Sequence, residues 1–133
     1  MFAPFDLKIV QIDKAANTVF FQSLEKVEAP GYVGYISGRF AHCDDDDLPA
    51  VCKVGEVIYQ GEPFYMEGGK AGGANGKYAT HVHAVFASGR LLSPYWYNVG
   101  NGHYALRTDG YQLHIYDAVF VPAHHQRDFG VGL

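Results

Sequence analysis

Apolar and polar residues alternate along several segments of the chain, and this pattern is typical of half-buried β-strands. In the first such segment Phe5, Leu7 and Ile9 fall on one face, with Asp6 and Lys8 on the other. Thr18–Leu24 is rich in β-branched and aromatic residues and follows a turn-like stretch at Asp13–Asn17. The pattern therefore predicts an N-terminal β-hairpin.

Two further strands are predicted in the middle of the chain. Tyr32–Phe40 carries Gly34 and Gly38 on one face, where a large side chain from another layer is expected to lie over them. Val51–Gln60 is the second strand, and Gly55 within it marks a β-bulge.

The last third of the chain predicts an antiparallel meander. Pro94 places its strand at a sheet edge or at a bulge, and Asn101-Gly102 is a strong signal for a tight hairpin turn. The predicted strands are Tyr78–Phe86, Leu91–Val99, His103–Arg107 and Tyr111–Val121.

No segment has a convincing helical period, and only Asp44–Leu48 is expected to open a single helical turn. The prediction is a single all-β domain over residues 1–123, built as a β-sandwich, a jelly roll or a small barrel with a C-terminal meander. Residues 124–133 form a tail or arm, which we expect to dock on a neighbouring subunit through Phe129 and Leu133.

The composition supports a single β-rich domain, and the net charge limits the classes of partner that we expect. The 133 residues are 48% hydrophobic and 15% aromatic, with 16 glycines. A net charge of −4 argues against nucleic acid, which requires a basic surface. No apolar run is long enough for a membrane-spanning helix, and the N-terminus lacks the pattern of a signal peptide. Cytoplasmic location is the default, with a virion protein or secretion without a signal as alternatives.

His81 and His83 form the sharpest candidate for chemistry. On a strand, residues i and i+2 face the same side about 7 Å apart, so two imidazoles can bind one divalent metal ion. His103 or His114 in the same meander would supply a third ligand. The glutamate that follows this motif in cupins is absent, and a packing or surface role for these histidines is the alternative.

Asp44, Asp45, Asp46 and Asp47 form a run of carboxylates that could bind calcium, with a solvated acidic loop as the alternative. The run lies between Cys43 and Cys52, the two cysteines of the chain. Their spacing matches no common zinc motif. They are either reduced thiols or a disulfide that closes the acidic loop, and the sequence leaves both options open.

Aromatic residues of the meander form the third candidate site. Tyr95 and Tyr97 are predicted on one face of a strand, Trp96 on the other, and Tyr104 on the next strand. One of these faces would be core, and the other could present a flat, hydrogen-bonding surface for carbohydrate or protein.

The leading hypothesis is a non-enzymatic binding or assembly module, because no complete catalytic motif is present. It would act on carbohydrate or associate with further copies of itself as a homo-oligomer. The alternative is a metal-binding β-barrel protein or metalloenzyme that uses the His-x-His motif at His81 and His83.

Overall fold

The computed structural model describes residues 1–29, 31–70, 83–100, 103–113 and 121–122. The described part of the chain is built from strands in antiparallel sheets, with one short 3-10 turn, so the fold is all-β. The strands are β1 Leu7–Asp13, β2 Thr18–Ser23, β3 Val27–Ala29, β4 Tyr32–Gly34, β5 Ile36–Ala41, β6 Val57–Ile58, β7 His83–Ser88, β8 Leu91–Gly100, β9 His103–Thr108, β10 Gln112–Leu113 and β11 Val121–Pro122.

A six-stranded sheet in the order β10-β7-β5-β2-β1-β6 organises the molecule. The predicted N-terminal hairpin is confirmed: β1 and β2 pair antiparallel from Leu7 opposite Ser23 to Asp13 opposite Thr18. Asn17 closes the loop between them in the left-handed region, with φ 46°, a conformation that asparagine tolerates better than most residues.

The main hydrophobic core covers one face of this sheet. Phe5, Leu7 and Ile9 are completely buried in it, as their alternation predicts. Aromatic rings dominate the cluster and meet in edge-on and tilted pairs, which is the favourable geometry for ring contacts. The ring of Phe21 lies 5.1 Å from that of Phe40.

Gly38 lies in this core because no larger residue fits beneath the neighbouring rings. A Cβ atom at this position would lie 2.6 Å from a ring carbon of Phe21 and 3.1 Å from one of Phe86. These rings come from the flanking strands β2 and β7 of the same sheet. The prediction that a large side chain covers Gly38 is confirmed. The prediction that this side chain comes from another layer is wrong.

The β8–β9 hairpin covers part of the opposite face of the six-stranded sheet. Phe20, Ala87 and Leu106 are buried between the hairpin and the sheet, and Leu91 and Tyr95 pack against them. We call this cluster the second core. As expected from Pro94, the pairing of β8 with β9 shifts register, between Leu91 and Trp96. The six-stranded sheet therefore packs against apolar side chains over one face and over part of the other.

Two predicted strands and the predicted C-terminal meander differ from the structure. In the described ranges β8 pairs with β9, but β7 pairs with β5 and β10 instead of with β8. Tyr32–Phe40 is divided into β4 and β5, which lie in different sheets. The break falls at Tyr35, whose carbonyl oxygen accepts the Gly89 amide at 2.7 Å next to the β5–β7 pairing. Of Val51–Gln60, only Val57–Ile58 is strand. The remainder turns at Gly55, whose φ is 89°.

The single helical turn expected at Asp44–Leu48 is present as a 3-10 turn at Asp45–Asp47. The Asn101-Gly102 turn and the predicted tail at 124–133 lie outside the described residues. Within the described ranges, no helix is long and apolar enough to cross a membrane.

Candidate functional site

The structure locates two of the four candidate metal-binding histidines by their backbone. His83 begins β7 opposite Ala41, and His103 begins β9 opposite Gly100. Strands β7 and β9 lie close together. His81 and His114 lie outside the described residues, so a metal centre formed by these histidines stays a prediction.

The acidic loop is held to the domain by Asp45. Its carboxylate forms an ion pair with the Lys70 ammonium group, and its Oδ1 atom also accepts the Asn17 side-chain amide at 2.9 Å. Only 7% of the Lys70 side chain is exposed, whereas half of Asp45 is exposed. The carboxylate therefore neutralises a cation that would otherwise be buried without a charge partner.

A second set of contacts fixes the start of the loop. The Gly69 amide donates to Asp44 Oδ1 at 3.2 Å. His42 and Lys70 are joined twice, since the Lys70 amide donates to the His42 carbonyl at 3.0 Å and His42 Nδ1 lies 2.7 Å from the Lys70 carbonyl. His42 has a φ of 84°, an unusual conformation for histidine. These contacts hold the loop against segment 68–70.

Asp46 and Asp47 are exposed on the 3-10 turn, while Asp44 and Asp45 accept hydrogen bonds from protein groups. Among the described residues, no three histidine, cysteine, aspartate or glutamate side chains form a group that could hold a metal ion. The calcium site therefore stays a prediction, and the contacts seen here give the loop a structural anchor.

Tyr65 connects the acidic loop to the core. Its hydroxyl donates to the Asn17 carbonyl oxygen at 2.6 Å and accepts the Cys43 amide at 2.9 Å. The side chain is almost completely buried, and burial raises its pKa above that of a free tyrosine. The hydroxyl therefore stays neutral and satisfies two backbone groups that water cannot reach.

Both cysteines are free thiols buried beside Tyr65. The Cys52 sulfhydryl donates to the Phe64 carbonyl at 2.7 Å. Burial raises the pKa of Cys52 to about 12 and also raises the pKa of Cys43. Of the two options that the sequence left open, the structure has the reduced one.

The β8–β9 hairpin carries the predicted aromatic surface. Trp96 is 39% exposed and Tyr97 is 46% exposed. Tyr95 instead packs on Phe20, with ring centroids 6.1 Å apart. Tyr104 lies on β9 opposite Asn98, and only its backbone is described.

The exposure of these residues does not alternate along the strand as the sequence pattern predicts. Tyr95 and Tyr97 were expected to share one environment, yet Tyr95 is partly buried and Tyr97 is exposed. Trp96 lies opposite the buried Leu106 and is itself 39% exposed. The shift in register before Trp96 interrupts the alternation.

A shallow groove on the six-stranded sheet was not predicted from the sequence. Its volume is about 460 Å³. It adjoins the hairpin, because the Leu91 amide donates to Gln22 Oε1 at 3.0 Å. Its lining includes Lys8, Val10, Gln22, Leu24 and Val54. Alternation alone gives the outward residues of β1 and β2, but it does not show that the hairpin leaves this area open.

Exposed apolar side chains also surround the first residues of the chain. Met1, Phe2, Tyr59 and Met66 are each close to half exposed or more. Phe2 bridges Pro63, and the Phe64 amide donates to the Met1 carbonyl at 3.0 Å. We call Met1, Phe2, Tyr59 and Met66 the N-terminal apolar surface.

Comparison of the sequence with protein-family models gives no match, and comparison with curated proteins gives no significant match.

Proposed function

We propose that this protein is a non-enzymatic binding module, and that it binds carbohydrate through the exposed aromatic side chains of the β8–β9 hairpin. The observation that carries the proposal is the pair Trp96 and Tyr97, which stay 39% and 46% exposed on a hairpin that is fixed to the domain. We name these two side chains the hairpin surface; as neighbours on β8 they face opposite sides of the hairpin, so each offers its own contact.

The hairpin surface has the properties of a preformed binding site. Tyr95 and Leu106 pack into the second core, so the backbone that carries Trp96 and Tyr97 is held in place before any ligand arrives. Aromatic rings combine a large apolar face with a polar edge, and few rotatable bonds are fixed on binding. The flat indole of Trp96, or the ring of Tyr97 with its own hydroxyl, suits the mixed apolar and polar face of a sugar ring.

The groove beside the hairpin offers room for a ligand longer than one sugar. Lys8 contributes an ammonium group, and Val10, Leu24 and Val54 contribute apolar surface. This combination favours an extended ligand that has both polar and apolar faces. An oligosaccharide that contacts Trp96 could continue across Gln22 into this groove.

A glycan array tests the proposal. Labelled full-length protein is applied to a broad panel of immobilised glycans, together with the Trp96→Ala and Tyr97→Ala variants. We expect at least one glycan class to bind, and each substitution to weaken that binding by about tenfold or more, as for aromatic hot-spot residues. Absence of any bound glycan, or full binding by both variants, would refute the proposal.

Tyr59→Ala is the matched control. It removes a tyrosine with a comparable exposure, 58%, at a position outside the hairpin. This variant is expected to bind the same glycans as the unaltered protein. An equal loss of binding in Tyr59→Ala and Tyr97→Ala would show that the assay does not report on the hairpin surface.

Self-association through the N-terminal apolar surface is a second candidate. The observation that favours it is the grouping of Met1, Phe2, Tyr59 and Met66, since clustered exposed apolar side chains are typical of protein interfaces. This edge of the molecule adjoins β6, an outer strand of the six-stranded sheet. Further copies of the chain could pack here as a homo-oligomer.

Sedimentation velocity over a range of concentrations tests self-association. The unaltered protein is expected to form oligomers and Phe2→Ser to shift to monomers, whereas Val33→Ser, an exposed site on β4, should not change the mass. Deleting residues 124–133 distinguishes association through this surface from association through the tail, because the deletion removes only contacts that the tail makes. A monomer at every concentration would exclude both routes.

A further inference from the structure

The two thiols lie at the ends of the acidic loop and against one backbone segment. The Cys52 sulfhydryl donates to the Phe64 carbonyl oxygen at 2.7 Å, and the Met66 backbone hydrogen-bonds the Cys43 sulfur. Both residues belong to the same buried cluster. Residues 64–66 thus hold the two sulfurs in one region of the core.

The loop between the thiols has its own anchors. Asp45 contacts Asn17 and Lys70, and the 3-10 turn follows directly. Asp46 and Asp47 on that turn are exposed to solvent. A bond between the two sulfurs would close this loop at its two ends and would replace the hydrogen bond from Cys52 to Phe64.

We propose that Cys43 and Cys52 are a reversible redox pair, which closes into an intramolecular disulfide when a low-molecular-weight disulfide such as oxidised glutathione reaches the loop. Cys52 keeps 7% of its residue surface exposed, whereas Cys43 keeps none. Its thiolate attacks one sulfur of the oxidant, and the first reduced thiol leaves.

The second step forms the protein disulfide. The Cys43 thiolate attacks the Cys52 sulfur of the mixed disulfide, and the second reduced thiol leaves. The protein loses two electrons, which reduce the sulfur–sulfur bond of the oxidant. The two thiol protons of the protein are taken up by the two released thiolates, so atoms and charge balance.

Access of the oxidant requires local opening, because buried thiols are inert while they remain covered. The contact most suited to control this opening is the ion pair of Asp45 with Lys70. We expect Asp45→Asn to speed oxidation about tenfold. Asp46→Asn, which alters an exposed carboxylate on the same turn, should leave the rate unchanged.

The experiment treats the folded, full-length protein with oxidised glutathione, transfers it to denaturant that contains iodoacetamide so that buried thiols are also blocked, and measures the intact mass. Loss of two hydrogen atoms without alkylation is the expected result. Digestion at the aspartates between Cys43 and Cys52 should then give two peptides that remain linked until reduction.

Three results would overturn the proposal: two alkylated thiols after long exposure, stable glutathione adducts on the unaltered protein, or linked peptides from two different chains. Cys43→Ala removes the resolving thiol, so it should retain glutathione on Cys52. If this buried substitution prevents folding, the peptide map of the unaltered protein decides the question alone.

Discussion

Replacing Tyr65 with phenylalanine tests the connection between the acidic loop and the core. The side chain is 1% exposed, and its hydroxyl joins the Asn17 carbonyl oxygen at 2.6 Å to the Cys43 amide at 2.9 Å. Tyr65→Phe keeps the ring but leaves both backbone groups without this partner. A buried polar group that loses its hydrogen bond costs about 1–3 kcal/mol.

Local relaxation recovers part of this cost, so we expect the free energy of unfolding to fall by about 2–4 kcal/mol. Urea denaturation followed by circular dichroism measures this free energy. The slope of the free energy against urea concentration should stay the same in the variant. Tyr59→Phe, at an exposed tyrosine, is the control and should change stability by less than about 0.5 kcal/mol. A loss of that small size in Tyr65→Phe would refute the reasoning.

Three more predictions follow from buried contacts. Gly38→Ala should lower the free energy of unfolding, measured by urea denaturation, by about 1–3 kcal/mol, because the new Cβ atom would lie 2.6 Å from a ring carbon of Phe21. Stability equal to that of the unaltered protein would contradict this packing. Asp45→Asn should cost about 1–2 kcal/mol, since half of Asp45 is exposed but its partner Lys70 is buried; an equal loss in Asp46→Asn would contradict the role of the pair. Burial raises the pKa of Cys52 to about 12, so its contribution to stability is complete below about pH 9 and falls by about 1.4 kcal/mol per unit as the pH rises towards 12. Thermal melts between pH 8 and 11 should show this fall in the unaltered protein and a smaller fall in Cys52→Ala. Identical slopes of stability against pH in the two proteins would contradict the prediction.

The elements that depend on local patterns could be predicted from the sequence. The N-terminal hairpin and the burial of Phe5, Leu7 and Ile9 follow from the period of two, because one face of the strand must meet the core. The helical turn in the acidic loop was also found from local composition. These features need no information about distant parts of the chain.

The features that depend on distant contacts could not be predicted. The division at Tyr35 separates β4, which pairs with β3, from β5, which pairs with β2 and with β7, far away in the sequence. Lys70 is buried because Asp45, 25 residues earlier, neutralises it. A lysine within a glycine-rich stretch carries no local signal for such burial.

The candidate site was predicted only in part. Trp96 and Tyr97 were identified by residue type, and the structure gives their exposure. The groove beside them depends on where the β8–β9 hairpin crosses the sheet at Gln22, and no pattern in either segment specifies that crossing.

Trp96 is the only tryptophan of the chain, so its fluorescence reports directly on the hairpin surface. Titration of the folded protein with soluble oligosaccharides from the glycan panel is the most direct test of the binding function. We predict a saturable change in emission with at least one oligosaccharide, and constant emission with an oligosaccharide that does not bind on the glycan array. Emission that stays constant with every oligosaccharide would contradict carbohydrate binding at the hairpin surface.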